Sequence, residues 1–329
     1  MNTKKLGSNG PTVSAIGLGC MGMSDFYGSK TTRNDSESIE TIKAALDAGV
    51  TYLNTADYYG SGHNELLIRE ALKGRSEKPV ISAKFGGLRI PYDGFLGFDL
   101  RPEAIKNFIS YSLVRLGIDV IDIYEPVRIV PTIPIEEVVG TIADLIKEGK
   151  VKQIGLSEVN ATQLRKAYAV HPISVVEVEY SLASRVIEKE LLNTCRELGV
   201  GVVAYGVLSR GLLSGGLTGK YEMTDFRAHA PRFTGENFEA NKKRVALLEQ
   251  MANEKGCTPS QLAIAWVLHR GNDILPLIGT TNRNRLFENL GATEVKLSQE
   301  DVARIGDAFP EGSFAGQRYA EQQMGMVVN

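Results

Sequence analysis

The sequence predicts an α/β fold, a closed (β/α)₈ barrel of the TIM-barrel type with an N-terminal β-hairpin and two extra helices. Three observations support it: short apolar runs alternate with helical stretches, glycine recurs where helices end, and no linker-like segment divides the chain. A length of 329 residues suits one large domain or two ordinary ones. Because no boundary is visible, we expect one domain over residues 1–329.

The N-terminal segment predicts the hairpin. Asn9 and Gly10 can supply the positive φ angles of a tight turn between Thr3–Leu6 and Thr12–Leu18. Since the hairpin precedes the first barrel strand, we expect it to close the bottom of the barrel. Eight short apolar runs then have the length of buried strands. They are Ile16–Leu18, Thr51–Asn54, Val80–Lys84, Val120–Tyr124, Gln153–Leu156, Val175–Glu179, Gly201–Tyr205 and Ile274–Ile278.

Helical stretches separate these runs, and four are followed by a glycine that suits a left-handed helix cap. The glycines are Gly49, Gly117, Gly149 and Gly199. The predicted helices are Ser36–Ala48, Asn64–Leu72, Pro102–Leu116, Pro134–Glu148, Ala161–Val170, Ile187–Leu198, Ala240–Lys255, Pro259–His269, Asn284–Leu290 and Ser298–Phe309. Pro259–His269 and Ser298–Phe309 exceed the eightfold count. Irregular stretches at 88–100 and 208–237 follow strands and should lie at the mouth.

A doubly wound open sheet is the alternative fold. Gly17, Gly19 and Gly22 have the spacing of a dinucleotide-binding fingerprint, but the residues that follow do not open a helix. The barrel is therefore favoured.

Composition narrows the possible partners. A formal net charge of -2 gives no electrostatic case for nucleic acid. The first residues lack the apolar region of a signal peptide, and no apolar run has membrane length, so we expect a cytoplasmic protein without a membrane partner. The three cysteines, Cys20, Cys195 and Cys257, are widely spaced, which predicts reduced thiols and no metal site. The sequence indicates no oligomeric state.

Two strand ends carry the side chains that predict the chemistry. The run Leu53–Gly60 leaves a strand and contains Tyr59, and the run Val80–Lys84 ends in Lys84. Barrels place reactive groups at the carboxyl ends of their strands. The charge of Lys84 would lower the pKa of the Tyr59 phenol, which could then give a proton to a carbonyl oxygen while hydride arrives from elsewhere. The alternative is a loop tyrosine beside a lysine that reaches solvent.

Seven further motifs occur in order along nearly the whole chain. They are Thr55–Gly60, Ser82–Gly86, Gly149–Ser157, Glu179–Leu182, Leu208–Gly211, Gly279–Thr280 and Glu288–Leu290. With these motifs the chain resembles the aldo-keto reductase superfamily, most closely the bacterial group whose opening reads Gly-Leu-Gly-Cys-Met-Gly-Met, as in Gly17–Met23. The resemblance implies a TIM barrel that binds NADPH at its mouth. It also implies hydride transfer to an aldehyde or ketone, with a tyrosine acid supported by lysine, aspartate and histidine.

Two of these four catalytic positions depart from the family. The tyrosine is Tyr59 and the lysine Lys84, but Asn54 stands where the family has aspartate and Val127 where it has histidine. Asn54 can accept a hydrogen bond from Lys84 without neutralising it, and the loss of a polar group at Val127 typically costs about 3 kcal/mol of barrier. As compensation, we expect Glu125, one layer deeper than Val127, to supply a carboxylate to Lys84. The alternative is that Glu125 pairs with another interior base.

The resemblance also implies a set of NADP(H) ligands, distributed over several strand ends. Ser157 and Glu177 would hold the nicotinamide carboxamide, with Glu177 replacing the family's glutamine or asparagine, and Tyr205 would stack on the ring. Gly206–Gly211 suits a pyrophosphate loop, and the helix opened by Gly279–Thr281 presents amides to an anion. The implied cofactor-binding residues are Gly19, Cys20, Met21, Ser157, Glu177, Tyr205, Gly206, Val207, Leu208, Arg210, Gly211, Gly279, Thr280, Thr281, Arg285, Glu288 and Asn289. Arg285 matches the 2′-phosphate ligand, Glu288 and Asn289 the adenine ligands, and Arg283 is the candidate to compensate for a base missing at Thr281.

Two functions remain open from the sequence. The first is an NADPH-dependent reductase of a small aldehyde or ketone, with Tyr59 as general acid and Lys84 tuning it. The second is a cofactor-binding sensor or weakly active pseudoenzyme, which the departures at Asn54 and Val127 support. For the first, loop aromatics predict a largely apolar substrate pocket. They are Phe26, Tyr27, Phe95 and Phe98.

Overall fold

Twelve strands occur among the residues that the computed structural model describes, 1–28, 30–90 and 94–328. They are β1 (Thr3–Lys5), β2 (Thr12–Ser14), β3 (Gly17–Gly19), β4 (Tyr52–Ala56), β5 (Val80–Phe85), β6 (Gly87–Ile90), β7 (Gly94–Phe98), β8 (Ile121–Pro126), β9 (Val151–Ser157), β10 (Ile173–Glu179), β11 (Gly201–Tyr205) and β12 (Ile274–Gly279). Strands β3, β4, β5, β8, β9, β10, β11 and β12 pair in parallel and close into a barrel. The predicted (β/α)₈ architecture is confirmed.

Helices cover the outside of the barrel and alternate with its strands. They are α1 (Asp35–Asp47), α2 (His63–Leu72), α3 (Pro102–Leu116), α4 (Ile135–Lys147), α5 (Ala161–Val170), α6 (Leu191–Leu198), α7 (Gly235–Glu254), α8 (Pro259–Leu268), α9 (Arg283–Leu290), α10 (Gln299–Ala308) and α11 (Glu321–Met324). The two extra helices are α8 and α10. They are joined by Trp266, which is fully buried and donates its indole N–H to Val302 O at 3.1 Å.

The N-terminal hairpin closes the bottom of the barrel, as the sequence predicts. Strands β1 and β2 pair antiparallel, and the fully buried Leu6 and Val13 pack inside the barrel against apolar side chains of its strands. Lys4 Nζ donates to Ile274 O at 2.7 Å, and burial lowers the pKa of this amine to about 8. The floor of the barrel is therefore apolar and held in place by a backbone contact.

Several predicted boundaries change in the structure; for example, α6 begins at Leu191 instead of Ile187. The stretch 88–100, expected to be irregular, contains the antiparallel pair β6 and β7, while its positions 91–93 lie outside the described residues. Helix α7 begins at Gly235 instead of Ala240, because its first turns bury Phe238 and Asn241. No helix in the described ranges combines the length and the apolar character needed to cross a membrane.

Candidate active site

Tyr59 is held by a sharp turn between β4 and α2. The next three residues, Gly60, Ser61 and Gly62, have positive φ angles of 57°, 57° and 95°. Glycine adopts such angles freely, whereas Ser61 does so at a cost of about 1–2 kcal/mol. The amide of Gly60 donates to Asp25 Oδ2 at 3.2 Å. The chain therefore reverses directly after Tyr59, which leaves its buried ring at the carboxyl end of β4.

Lys84 lies beside this ring, near the carboxyl end of β5. Its side chain is 3% exposed, and Nζ is 5.4 Å from the centroid of the Tyr59 ring. Nζ donates to Asn54 Oδ1 at 2.5 Å and to Glu177 Oε1 at 2.9 Å. Asn54 Nδ2 donates to Glu177 Oε2 at 2.5 Å, which closes a triangle of hydrogen bonds. We call Asn54, Lys84 and Glu177 the lysine cluster.

The carboxylate that the sequence led us to expect from Glu125 comes instead from Glu177. Glu125 is the register partner of Lys84 on β8, but its Oε1 accepts from Ser82 Oγ at 2.8 Å, one layer deeper in the barrel. Its Oε2 has no hydrogen-bond partner in the described part of the chain. Burial and then the charge of Glu177 raise the pKa of Glu125 well above its usual value. Burial and the neighbouring Glu177 charge therefore favour the neutral form of the Glu125 carboxyl.

The pKa values of Lys84 and Tyr59 follow from this arrangement. Burial opposes the charge of Lys84, but the Glu177 carboxylate offsets it, and the pKa of the ammonium is raised. Burial, followed by the negative charge of Glu177, raises the pKa of Tyr59 well above that of a free phenol, although the Tyr58 hydroxyl and Arg128 act in the opposite direction. The expected lowering of the Tyr59 pKa is not found, because burial of the phenol and then the charge of Glu177 both act against its ionisation. Tyr59 keeps its proton at neutral pH, as a proton donor must.

Val127 forms an apolar wall beside Tyr59. It is 5% exposed and packs into a group of mostly aromatic side chains. The group comprises Met21, Phe26, Ala56, Tyr58, Tyr59, Phe98 and Val127. Arg128 Nη1 donates to Val127 O at 2.6 Å, which keeps the guanidinium next to this group. The position where the resemblance implies histidine is therefore part of an apolar surface.

A second group of buried charges anchors Tyr205. The Tyr205 hydroxyl donates to Glu158 Oε1 at 2.7 Å, and Glu158 pairs with Arg318 at 3.0 Å. Arg318 also approaches Glu179 at 3.5 Å, and Glu179 lies 3.8 Å from Arg232. We call Glu158, Glu179, Arg232 and Arg318 the arginine cluster. It connects the ends of β9 and β10 to segments outside the barrel.

The loop after β11 contains a cation that fits an anionic ligand. At Gly206, φ is 66° and a Cβ would lie 3.1 Å from the Glu179 side chain, so the turn requires glycine. The Arg210 guanidinium carbon lies 4.2 Å from the centroid of the Phe226 ring, and Nη1 donates to Tyr27 Oη at 3.4 Å. Over the described ranges, no carboxylate is within ion-pair distance of Arg210. A cofactor pyrophosphate fits this position, and the turn also contains Val207, Leu208 and Gly211.

The first and last barrel strands bring other predicted residues side by side. Gly19 and Gly279 are register partners on β3 and β12. Cys20 follows Gly19, and burial raises the pKa of its thiol to about 12, so the thiol is protonated. Ser157 is buried at the end of β9 in register with Glu177. These residues all lie at the carboxyl ends of strands, where a barrel binds its ligands.

Helix α9 begins directly after this edge. Asn282 caps the helix by accepting from the Arg285 amide at 3.0 Å, and the side chains of Thr281 and Arg285 are exposed. Arg283, the candidate to compensate at Thr281, makes two hydrogen bonds of 3.0 Å to Glu37. These bonds lower the pKa of Glu37, so the charge of Arg283 is already balanced. Arg285 is therefore better placed than Arg283 for a 2′-phosphate.

The remaining predicted residues shape the two ends of α9. Thr280 Oγ1 accepts from the Asn282 amide at 3.1 Å in the turn before the helix. Near the other end, Glu288 Oε1 accepts from Thr258 Oγ1 at 2.8 Å, and Asn289 is buried. Glu288 is thus tied to the extra helix α8, which begins after Thr258.

Comparison with known proteins matches residues 15–309 to the Aldo/keto reductase family. The chain belongs to this family. It is 42% identical over 320 residues to probable aldo-keto reductase 1 of Glycine max, and the matched region covers 96% of this chain and 91% of that protein. Among solved structures, a glycerol dehydrogenase from Gluconobacter oxydans has a TM-score of 0.84 at 26% identity, covering 93% and 94% of the two chains. An aldo-keto reductase from Klebsiella pneumoniae in complex with NADPH has a TM-score of 0.72 at 24% identity, covering 94% and 96%.

Membership of the aldo/keto reductase family confirms the sequence-based resemblance. The reductase is an oxidoreductase of carbonyl compounds, and its cofactor is NADP(H), the dinucleotide that this family uses. The half-buried guanidinium of Arg210, which forms no ion pair with a carboxylate of the described residues, fits a phosphate of this cofactor.

Sequence reasoning missed several residues of the reductase site. Glu158 and Arg318 form the centre of the arginine cluster, and Arg128 contacts the apolar wall. A signal for Glu158 exists, since a charged residue directly after the buried end of β9 requires a partner. Arg318 has no such signal, because it lies far along the chain in a segment without periodicity.

Proposed function

We propose that this reductase converts an aldehyde or ketone to the alcohol with NADPH, in the class of oxidoreductases that act on CH–OH groups. Tyr59 is the general acid and Lys84 holds positive charge next to it. One observation carries this proposal: the Tyr59 ring and the Lys84 ammonium lie 5.4 Å apart in a buried site at the barrel mouth. Bound NADPH supplies the hydride.

The residues of the chain have separate tasks in this proposal. The Tyr59 hydroxyl, protonated at neutral pH, donates a hydrogen bond to the carbonyl oxygen and passes its proton as negative charge develops there. Lys84 then stabilises the negative charge left on the phenol. Val127 excludes water from the reacting carbonyl, since it is buried against Tyr59 and Tyr58. The wall around Val127 favours carbonyl compounds with an apolar or aromatic substituent.

Contacts at the mouth support the assignment of the cofactor ligands. Ser157 lies at the end of β9, where it can bind the nicotinamide carboxamide. The Tyr205 ring, which would stack on the nicotinamide, is held by its hydrogen bond to Glu158. Arg210 suits the pyrophosphate and Arg285 the 2′-phosphate, because one is a half-buried cation and the other an exposed cation at a helix start.

The test compares Tyr59→Phe with the matched variant Tyr58→Phe. Both lose one phenol at the same turn, but only the first removes the proposed acid. With NADPH and a panel of aldehydes, ketones and quinones, we expect Tyr59→Phe to lose activity by a factor on the order of 10³ and Tyr58→Phe by at most about tenfold. Turnover is followed by the absorbance of the reduced nicotinamide. Equal losses in the two variants contradict the role of Tyr59.

A second function, cofactor-dependent sensing with little turnover, is favoured by one observation. Val127, an apolar residue, occupies the position where the resemblance implies histidine and packs in the group that contains Tyr58 and Tyr59. The same panel separates the two functions. Tight NADPH binding without turnover on every carbonyl compound supports the sensor and contradicts the reductase mechanism.

A further inference from the structure

Three barrel strands meet at the ammonium of Lys84. Asn54 comes from β4, Lys84 from β5 and Glu177 from β10, and all three side chains are buried. Strands β4 and β5 are neighbours, but β10 is not adjacent to either of them in the barrel order. Glu177 therefore reaches Lys84 across the interior of the barrel. A contact of this kind requires each side chain to be directed inward.

The direct ion pair of Lys84 is with Glu177. Lys84 carries one positive charge, and its neighbour Asn54 is neutral. The Glu125 carboxyl binds Ser82 instead of Lys84, and burial and then the charge of Glu177 favour its neutral form. Among the described residues, Glu177 is the carboxylate within ion-pair distance of Lys84 Nζ, at 2.9 Å. A buried ammonium without such a partner is unfavourable and tends to lose its proton.

We propose that Glu177 is a positioning residue for the reaction, because its carboxylate supplies the counter-charge that keeps the Lys84 ammonium charged and aligned with Tyr59. The inference rests on the proposed reductase function and deepens it. Asn54 is matched to this role, since its carbonyl accepts from Lys84 while its amide N–H₂ donates to Glu177. An aspartate at position 54 would instead bring a second carboxylate against Glu177. Asn54 and Glu177 thus form a complementary pair.

This assignment differs from the role that the resemblance implies for Glu177. A ligand of the nicotinamide carboxamide needs oxygen lone pairs directed at the cofactor, yet both oxygens of Glu177 already accept within the lysine cluster. Substitution by glutamine separates the two roles, because glutamine keeps the shape, can bind a carboxamide and carries no charge. The carboxamide role predicts a change in NADPH affinity. The positioning role predicts a change in kcat.

The experiment is a double-mutant cycle with Glu177→Gln, Asn54→Asp and the combination of both. We expect Glu177→Gln to lower kcat on the order of 100-fold while the Kd for NADPH changes by less than about threefold. Asn54→Asp lowers kcat on the order of tenfold, because two carboxylates then compete for one cation. The double variant restores the charge count and regains kcat to within about tenfold of the wild type.

The pH dependence of kcat gives a readout that simple loss of packing would not move. The groups that face Lys84 are Glu177, Glu125, Tyr58, Tyr59 and the thiol of Cys20. Without the Glu177 charge, the pKa of the ammonium falls. The alkaline limb of the profile therefore moves to lower pH in Glu177→Gln and returns toward the wild-type position in the double variant. An unmoved limb with wild-type kcat overturns the proposal.

Thermal unfolding of the cofactor-free protein completes the cycle without any need for turnover. We expect the Tm of Glu177→Gln to fall and the double variant to recover most of the loss. If neither the wild type nor any variant reduces a carbonyl compound, the proposed reductase function is contradicted. The Tm cycle then decides the counter-charge separately: recovery supports it, and a double variant less stable than either single variant overturns it.

Discussion

The lysine cluster and the arginine cluster both bury charge at the barrel mouth, but they connect different parts of the molecule. The lysine cluster uses side chains of barrel strands alone. The arginine cluster joins Glu158 and Glu179, at the ends of β9 and β10, to Arg232 and Arg318 outside the barrel. Strand positions are fixed by the backbone ladder, whereas the outer segments depend on the ion pairs themselves. The difference indicates that one cluster sets the geometry of a reaction and the other attaches the C-terminal segment.

The largest expected effect is a contrast between Lys84→Met and Arg318→Met. Each variant leaves buried carboxylates without their cation, so each should lower the free energy of unfolding by about 3–5 kcal/mol. We expect kcat to fall on the order of 10³-fold in Lys84→Met but by no more than about tenfold in Arg318→Met. Denaturant titration and steady-state kinetics measure the two quantities. If both variants lose activity equally, the proposed division of tasks is wrong.

The pH dependence of stability should have opposite signs for Glu158, in the arginine cluster, and Glu125, which lies one layer below the lysine cluster. Burial acts against ionisation of Glu158, but the charges of Arg318 and Arg128 and the hydrogen bonds from Tyr205 and the Glu179 amide together outweigh it and lower the pKa of this carboxyl. Its contribution is therefore present above the unfolded value of about 4.3 and is lost as the pH falls through the folded pKa. The pKa of Glu125 is raised, so its contribution is present below about 4.3 and is lost as the pH rises through the folded pKa.

Tm measured against pH for Glu158→Gln and Glu125→Gln checks these signs. We expect Glu158→Gln to be less stable than the wild type at neutral pH, with the deficit shrinking on acidification. The stability of Glu125→Gln relative to the wild type should improve as the pH rises. If the two variants give parallel curves of Tm against pH, the opposite pKa shifts of Glu158 and Glu125 are contradicted.

The smallest expected effect is that of Val127→His. The variant adds a polar group beside Tyr59 at the position where the resemblance implies histidine, and we expect kcat/KM to rise by up to about tenfold. The gain is limited because the ring must enter the apolar group around Phe98 and Tyr58. Val127→Asn is the control, because it adds a polar side chain that is smaller than imidazole. A fall in kcat/KM for both variants would indicate that the apolar wall itself is required.

Much of this arrangement could be predicted from local sequence. The barrel strands have short apolar runs, and Tyr59 and Lys84 stand at strand ends. Strands β1 and β2 pair as predicted, but the positive φ of their connection, 64°, is at Gly7 and not at Asn9 or Gly10. Alternation along β8 and β10 also predicts that Glu125 and Glu177 point inward. It does not predict which of them reaches Lys84, because that depends on strand stagger and side-chain reach across the barrel.

The arginine cluster and the β6–β7 pair lacked comparable signals. Arg318 contacts Glu158 across a long loop of chain, and no periodic pattern leads to that pairing. The β6–β7 pair is short, rich in glycine and shifted in register after Leu88, so it resembles a loop in sequence. Both features form through tertiary contacts.

The apolar floor made by Leu6 and Val13 also limits the routes by which a proton can reach the site. Both side chains are fully buried and pack against Tyr52 and other apolar residues inside the barrel. In the proposed mechanism, the phenolate of Tyr59 therefore regains its proton from the open side of the barrel, where the newly formed alcohol lies until it leaves. The proposed mechanism therefore requires the alcohol to leave the barrel mouth before Tyr59 can be protonated again.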